Sequence, residues 1–215
     1  SEMCIRDRVN TLQQYGEKAL DKLRGMFGFA VWNEKEQTLM LARDFFGIKP
    51  VYYAEIDGHF VFASEIKSIL AFPGYERKVN QKALEQYLSF QYSPLEETFF
   101  KGIYKLMPGH MLLYKNGSYE IKTYFKPKLT PGQWDHKTNM AQLRSQLSEI
   151  LKDSVKHHML SDVEVGAFLS GGVDSGYLAS SSGADQAFTV GFDEGDRYSE
   201  VNKAAKVAEK VGLKH

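Results

Sequence analysis

A single cysteine, Cys4, in a chain of 215 residues excludes an internal disulfide and fits a reducing compartment. No apolar run approaches the length of a membrane span and no signal peptide is visible, so cytoplasm is the expected location. Excess charge is missing too. Lys plus Arg and Asp plus Glu stand at 27 each, so no net field draws the chain to nucleic acid or an anionic membrane. Internal repeats and low-complexity segments are absent, as is the Walker pattern Gly-x-x-x-x-Gly-Lys. What remains is enough length for one large domain or two small ones around a sizeable core.

The most informative stretch runs from Val163 to Ser175. Val163, Val165, Ala167, Phe168 and Leu169 read as a buried strand of a parallel sheet with both faces covered. The run ends in Ser170-Gly171-Gly172-Val173-Asp174-Ser175, and Gly176 to Ser180 reads as the opening of a helix. Strand, glycine turn and helix start together make a phosphate cradle. Glycine lets the backbone approach an anion with no Cβ in the way, and the free N–H groups of a first helical turn point at that anion. Ser170 and Ser175 add hydroxyl donors. Asp174 would repel a bare phosphate, which suggests a bridging Mg²⁺. The bland alternative is a plain strand-to-helix turn, since Gly-Gly and Asp-Ser are common turn residues.

Residues 1–8 show no periodic pattern and read as a non-native leader. Val9 to Leu23 is spaced as an amphipathic helix ending at Gly25. Phe27 to Trp32 and Thr38 to Ala42 read as strands around the charged turn Asn33 to Glu36. Val51 to Glu55 and His59 to Ala63 form a hairpin across Asp57-Gly58. Ser64 to Phe72 predicts a helix with Ile66, Ile69 and Leu70 on one face. Asn80 caps another helix, which carries Leu84, Tyr87 and Leu88. A last hairpin runs from Met111 to Tyr114 and from Tyr119 to Phe125 across Asn116-Gly117. Residues 9–126 are thus α+β, and residues 127–138 read as a polar linker.

Residues 139–215 form a second domain. Asn139 and Gln142 cap a helix reaching Met159, the glycine loop follows, and Ala187 to Phe192 and Glu200 to Val211 supply a second strand and helix. That alternation predicts an α/β parallel sheet. Two strands alone would leave Phe168, Leu169, Phe188 and Val190 uncovered.

The loop Ser-Gly-Gly-Val-Asp-Ser resembles the pyrophosphatase loop of N-type ATP pyrophosphatases. Upstream, Leu23 to Trp32, Leu41 to Tyr53 and Phe62 to Lys67 resemble core segments of class II (N-terminal-nucleophile) glutamine amidotransferase domains. Lys105 to His110 follows at the same family's spacing. Together these segments are similar to the glutamine-hydrolysing asparagine synthetases of the bacterial B type. The resemblance implies the C-terminal part of an amidotransferase domain, then the start of an ATP-pyrophosphatase domain. It implies ammonia release from glutamine, and adenylation of aspartate by Mg-ATP. Ammonia then attacks β-aspartyl-AMP to give asparagine, with AMP and pyrophosphate released. It assigns ATP and pyrophosphate binding to Leu169, Ser170, Gly171, Gly172, Val173, Asp174, Ser175 and Val190, with Asp174 contributing to Mg²⁺ handling and adenylation. The implied partners are small molecules: ATP, aspartate and glutamine. A homodimer stays open as the assembly.

The departures matter as well. The family's nucleophile is an N-terminal cysteine followed by glycine, whereas Cys4 is internal and precedes Ile5, so it reads as a free thiol. The family's glutamine-binding arginine, Asn-Gly-Glu oxyanion motif and glutamine-binding aspartate have no counterpart in this sequence, so no catalytic residue for glutamine hydrolysis is assigned and this stretch alone is expected to be inactive. Arg43 and Asp44 read as holding the fold together at a strand end rather than as substitutes. His157-His158 reads as a solvated pair at a helix C-terminus rather than a metal site. Phe45, Phe46, Tyr52 and Tyr53 read as core. Two alternatives stand beside the synthetase: a related amidotransferase or β-lactam-forming synthetase, and a non-catalytic nucleotide-binding fragment.

Overall fold

The computed structural model describes residues 2–129, 139–192 and 199–215. The chain divides into two compact units, one of Arg8–Leu129 and a second containing 139–215.

The first unit is a layered sandwich of two antiparallel sheets. Strands β1 (Gly28–Asn33), β2 (Thr38–Arg43), β6 (His110–Lys115) and β7 (Ser118–Thr123) form one sheet in the order β1-β2-β6-β7. Strands β3 (Tyr52–Ile56), β4 (His59–Ala63) and β5 (Ile103–Lys105) form the other, in the order β4-β3-β5. Side-chain alternation builds three layers of core. Leu41, Tyr53, Leu106 and Leu112 meet between the sheets. Ala42 and Met111, one residue out of phase, face a 3₁₀ helix (Gly16–Lys22) through Leu20 and Phe27. Ala54 and Ile56 face the short helix α2 (Ile66–Leu70) through Ile69.

The hairpin turns form as expected. Asp57-Gly58 and Asn116-Gly117 both place two successive residues at positive φ, the requirement of a type I′ turn. Asn80 caps α3 (Gln81–Phe90): its Oδ1 accepts from the Ala83 N–H at 3.2 Å and its Nδ2 donates to Glu97 at 2.9 Å. Because Asn80 is buried and serves both groups, Asn80→Ala should cost about 1–2 kcal/mol. Urea unfolding checks this as a lower midpoint at unchanged slope, and a loss below about 0.5 kcal/mol would show that the cap contributes little.

Several expectations need correction. Helix α1 spans Glu2–Tyr15 and so runs through the expected leader boundary, and Gly16, at φ +57°, ends it before the 3₁₀ turn. Strand β5 was not foreseen, because three residues carry no readable period. On α3 only Ala83 is buried, while Tyr87 and Leu88 are exposed. Phe46 is exposed too: its ring meets Phe125 at the edge of the unit, whereas Phe45 packs against Phe27 and Tyr124.

The second unit opens with α4 (Met140–His158), whose first N–H groups are capped by Asn139. Strands β8 (Ala167–Phe168) and β9 (Ala187–Phe188) pair in parallel, and helices α5 (Val173–Ser182) and α6 (Val201–Val211) cover one face. Leu169 and Ala187 are buried there against Ala179, Ala204 and Ala208. The expected fully buried strand from Val163 to Leu169 is therefore wrong on two counts: only Ala167 and Phe168 form a strand, with Phe168 83% exposed on the face the helices leave open, and Val163, outside it, is 76% exposed. The two-strand exposure argument is likewise correct for Phe168, Phe188 and Val190 but wrong for Leu169, at 2%. Residues 130–138 of the expected linker lie outside the described residues.

Candidate functional site

Helix α5 begins three residues earlier than the sequence suggested. Gly172 is its N-cap, in an extended conformation with no side-chain cap, and the first helical bond runs from the Gly176 N–H to the Gly172 carbonyl at 3.0 Å. Val173, Asp174 and Ser175 thus form the first turn themselves. Their N–H groups have no partner within the helix and carry the positive end of its dipole. Asp174 sits exposed on this turn, where a carboxylate is favoured.

The loop is closed by its two serines. Ser175 Oγ accepts from the Ser170 N–H at 3.2 Å, lies 2.9 Å from Ser170 Oγ and donates to the Gly172 carbonyl at 3.3 Å. When the Ser175 proton points at Ser170 Oγ, the Ser170 hydroxyl proton is free to meet an anion.

The two glycines have separate causes. Gly171 has φ +74°, and a Cβ there would stand 2.7 Å from Lys203 Cβ on α6, so helix packing and backbone conformation both demand glycine. Gly172 needs it for neither reason. A Cβ there would meet only Ser170 Oγ at 3.4 Å and Ser175 Oγ at 3.9 Å, in the space above the hydroxyls. The fold has room for a side chain at Gly172; a ligand seated on the serines does not.

Beside the loop, at the carboxyl ends of β8 and β9, lies a cavity of about 270 Å³. Leu169, Ser170, Ser175 and Val190 of the expected set line it. Gly171, Gly172, Val173 and Asp174 form the adjoining turn and are not on its wall. Thr189 and Glu200 line it as well, and sequence reasoning missed both. Thr189 donates to the Leu169 carbonyl at 2.6 Å, tying the two strand ends together. The available signal was position, since ligands of open α/β sheets bind outside the carboxyl ends of the strands.

Other candidates resolve into structure. Arg43 donates to the carbonyls of Lys49, Leu106 and Gly47 at 2.8, 2.7 and 2.6 Å. Asp44 is buried and accepts from four backbone N–H groups. Both hold loop backbone, as expected. His157 and His158 each turn Nδ1 to the carbonyl four residues back, at 2.8 Å. Cys4 falls in the α1 backbone, and its side chain lies outside the described residues. Among the described residues there is no group of three or more His, Cys, Asp or Glu that could hold a metal, and no helix long and apolar enough to cross a membrane.

Comparison with known proteins agrees with this division. Residues 8–125 match the glutamine amidotransferase domain family, and residues 146–215 match asparagine synthase. The chain is 39% identical over 210 residues to glutamine-hydrolyzing asparagine synthetase 1 of Bacillus subtilis (strain 168), covering 95% of this chain and 32% of that protein. It is 31% identical over 195 residues to synthetase 3 of the same organism, covering 86% and 31%. The chain thus spans about a third of the length of these curated relatives. A likeness to the allosteric regulatory enzyme of purine biosynthesis, at TM-score 0.37 and 12% identity over 89% of this chain and 39% of that one, is too loose to carry an argument. The amidotransferase match alone takes in more than half of the sequence, and so the chain belongs to the glutamine amidotransferase domain family, continued here by the start of an asparagine synthase domain.

Proposed function

We propose that the protein carrying this chain is an ATP-dependent, glutamine-hydrolysing carbon–nitrogen ligase that converts aspartate to asparagine. The observation that carries the reading is the cradle at Ser170–Ser175, an anion-accepting helix start at the carboxyl ends of parallel strands. Its place behind an amidotransferase domain supports the same reading. In the proposed reaction a β-carboxylate oxygen of aspartate attacks the α-phosphorus of ATP, the bond to the bridging oxygen breaks, and pyrophosphate leaves. Ammonia from glutamine then attacks the acyl carbon of β-aspartyl-AMP, and AMP departs with the bonding electron pair.

The geometry supports a part for each residue in this reading. The N–H groups of Val173, Asp174 and Ser175 and the Ser170 hydroxyl hold the departing pyrophosphate, whose developing charge they stabilise without reorganising. Gly171 lets α6 pack, and Gly172 keeps the cradle open. Leu169 and Val190 wall the adenosine side of the cavity. The donor set suits Mg²⁺, which takes one or two carboxylates and fills its remaining positions with substrate phosphate oxygens and water. Asp174 would be the carboxylate, and the ion would offset phosphate charge. The cytoplasm and a homodimeric assembly belong to the same proposal, and sedimentation showing only monomer would remove the dimer.

Asp174→Ala tests the site. It is expected to lower aspartate-dependent pyrophosphate release by about 10²–10³-fold. Glutamate release from glutamine should stay close to wild type, because Asp174 lies outside the amidotransferase unit. Pyrophosphate release at the wild-type rate in this variant would remove Asp174 from the site.

A further inference from the structure

Glu200 has no part in the reaction as proposed, yet it lines the same cavity as Ser170 and Ser175. Two close approaches fix its place. The first turn of α6 lies against the loop so tightly that a Cβ on Gly171 would come within 2.7 Å of Lys203 Cβ and 3.1 Å of the Ala204 nitrogen. The helix start also lies against the chain leaving β9, where a Cβ on Gly191 would come within 2.6 Å of Val201 Cγ2. Glu200 immediately precedes this helix and stands, exposed, on the rim of the cavity beside the two strand ends. Its backbone carbonyl accepts from the Ala204 N–H, but its side chain makes no cap bond to the helix it precedes. An acidic side chain at an N-cap that leaves the cap unmade and lines a cavity is available to a ligand.

We infer that the Glu200 carboxylate recognises the ribose of a ribonucleoside triphosphate, accepting hydrogen bonds from its 2′ and 3′ hydroxyls. This rests on the nucleotide reading of the loop. An ionised carboxylate only accepts, so its partner must donate. Of the parts of ATP, only the ribose hydroxyls and the adenine amino group can do so. Position decides between them. Lys203, which packs on the phosphate loop, is one helical turn beyond Glu200, so Glu200 stands about 5 Å along the helix from that loop. That separation suits the sugar, which follows the phosphates directly, and the amino group lies on the far edge of the base. The apolar wall of Phe188 and Val190 is left for the base itself.

The test uses the protein that carries this chain and compares kcat/KM for pyrophosphate release with ATP, 2′-deoxy-ATP and 3′-deoxy-ATP. Inhibition by inorganic pyrophosphate is measured alongside. Wild type should prefer ATP by roughly tenfold to a hundredfold, the size of a lost hydrogen bond to a charged acceptor. Glu200→Ala should erase that preference, mainly through KM, and Glu200→Gln should keep part of it. Pyrophosphate inhibition should not change in either variant. An unchanged preference in Glu200→Ala overturns the inference, as does a defect that raised Mg²⁺ repairs, which would make Glu200 a metal ligand. Gly172→Val separates the two levels of argument. If that variant still turns over ATP, the loop reading fails and takes this one with it. If it is inactive while Glu200→Ala discriminates normally, the ribose assignment alone fails.

Discussion

Gly172→Val is expected to abolish ATP-dependent pyrophosphate release while glutamate release from glutamine stays near its wild-type rate. The reason lies in what surrounds that glycine. A Cβ there meets only the hydroxyls of Ser170 and Ser175, at 3.4 and 3.9 Å, and the backbone is extended, as a β-branched residue prefers. Valine is therefore compatible with the fold. Its methyls would occupy the space above the hydroxyls and the first-turn N–H groups, where pyrophosphate has to sit. The loss should exceed about a hundredfold, because several preorganised donors become unreachable together. Gly171→Ala is the control with the opposite cause. Its positive φ and the approach of Lys203 make the change one of stability, about 1–3 kcal/mol. Thermal unfolding should thus separate the pair: Gly172→Val melts near wild type without activity, and Gly171→Ala melts lower. Pyrophosphate release surviving in Gly172→Val would reduce Ser170–Ser175 to a plain turn.

The same loop shows how far the sequence could be read. Its six-residue string suggested an anion cradle, although two glycines between a strand and a helix would by themselves suit a plain turn. The helix start was misplaced by three residues, because Gly172 caps α5 through backbone conformation alone, without the usual side-chain signal. Hairpins at Asp57-Gly58 and Asn116-Gly117 and the cap at Asn80 were legible because their causes are local. Burial was less so. Phe168 and Leu169 are adjacent and equally apolar, yet one is 83% exposed and the other 2%, since α5 and α6 cover a single face of β8. Glu200 escaped notice for a related reason. Its cavity brings the ends of β8 and β9 together with the residue before α6, segments that are far apart in sequence. In the first unit, Arg43 and Asp44 were read correctly as structural, but nothing local indicated that each would bind backbone rather than the other.

Asp44→Asn is expected to be the most damaging conservative change in the amidotransferase unit. Oδ1 of Asp44 accepts from the N–H groups of Phe46 and Ile48 at 3.2 and 2.9 Å, and Oδ2 from those of Phe27 and Lys49 at 3.3 and 2.9 Å. An asparagine amide has one oxygen. Whichever way it turns, two N–H donors face an NH₂ group at a position only 1% exposed, with no acceptor. The cost should be about 3–5 kcal/mol, a fall of roughly 10 °C or more in the melting temperature of a unit this size. The charge also sets a pH signature. Burial pushes the Asp44 carboxyl up, but the donors from Lys49, Ile48, Phe27 and Phe46 outweigh it and hold it below the usual carboxylate range. A group with a depressed folded pKa stabilises fully above its unfolded value, about 4 for aspartate, and loses that contribution as pH falls through the folded value. The gap between wild type and Asp44→Asn should therefore be widest near neutral pH and shrink below about pH 4. Melting curves of both proteins from pH 7 to pH 2.5 give the measurement. A gap under about 1 kcal/mol at neutral pH, or one that does not narrow in acid, would show that the carboxylate is not what holds residues 44–49 against Phe27.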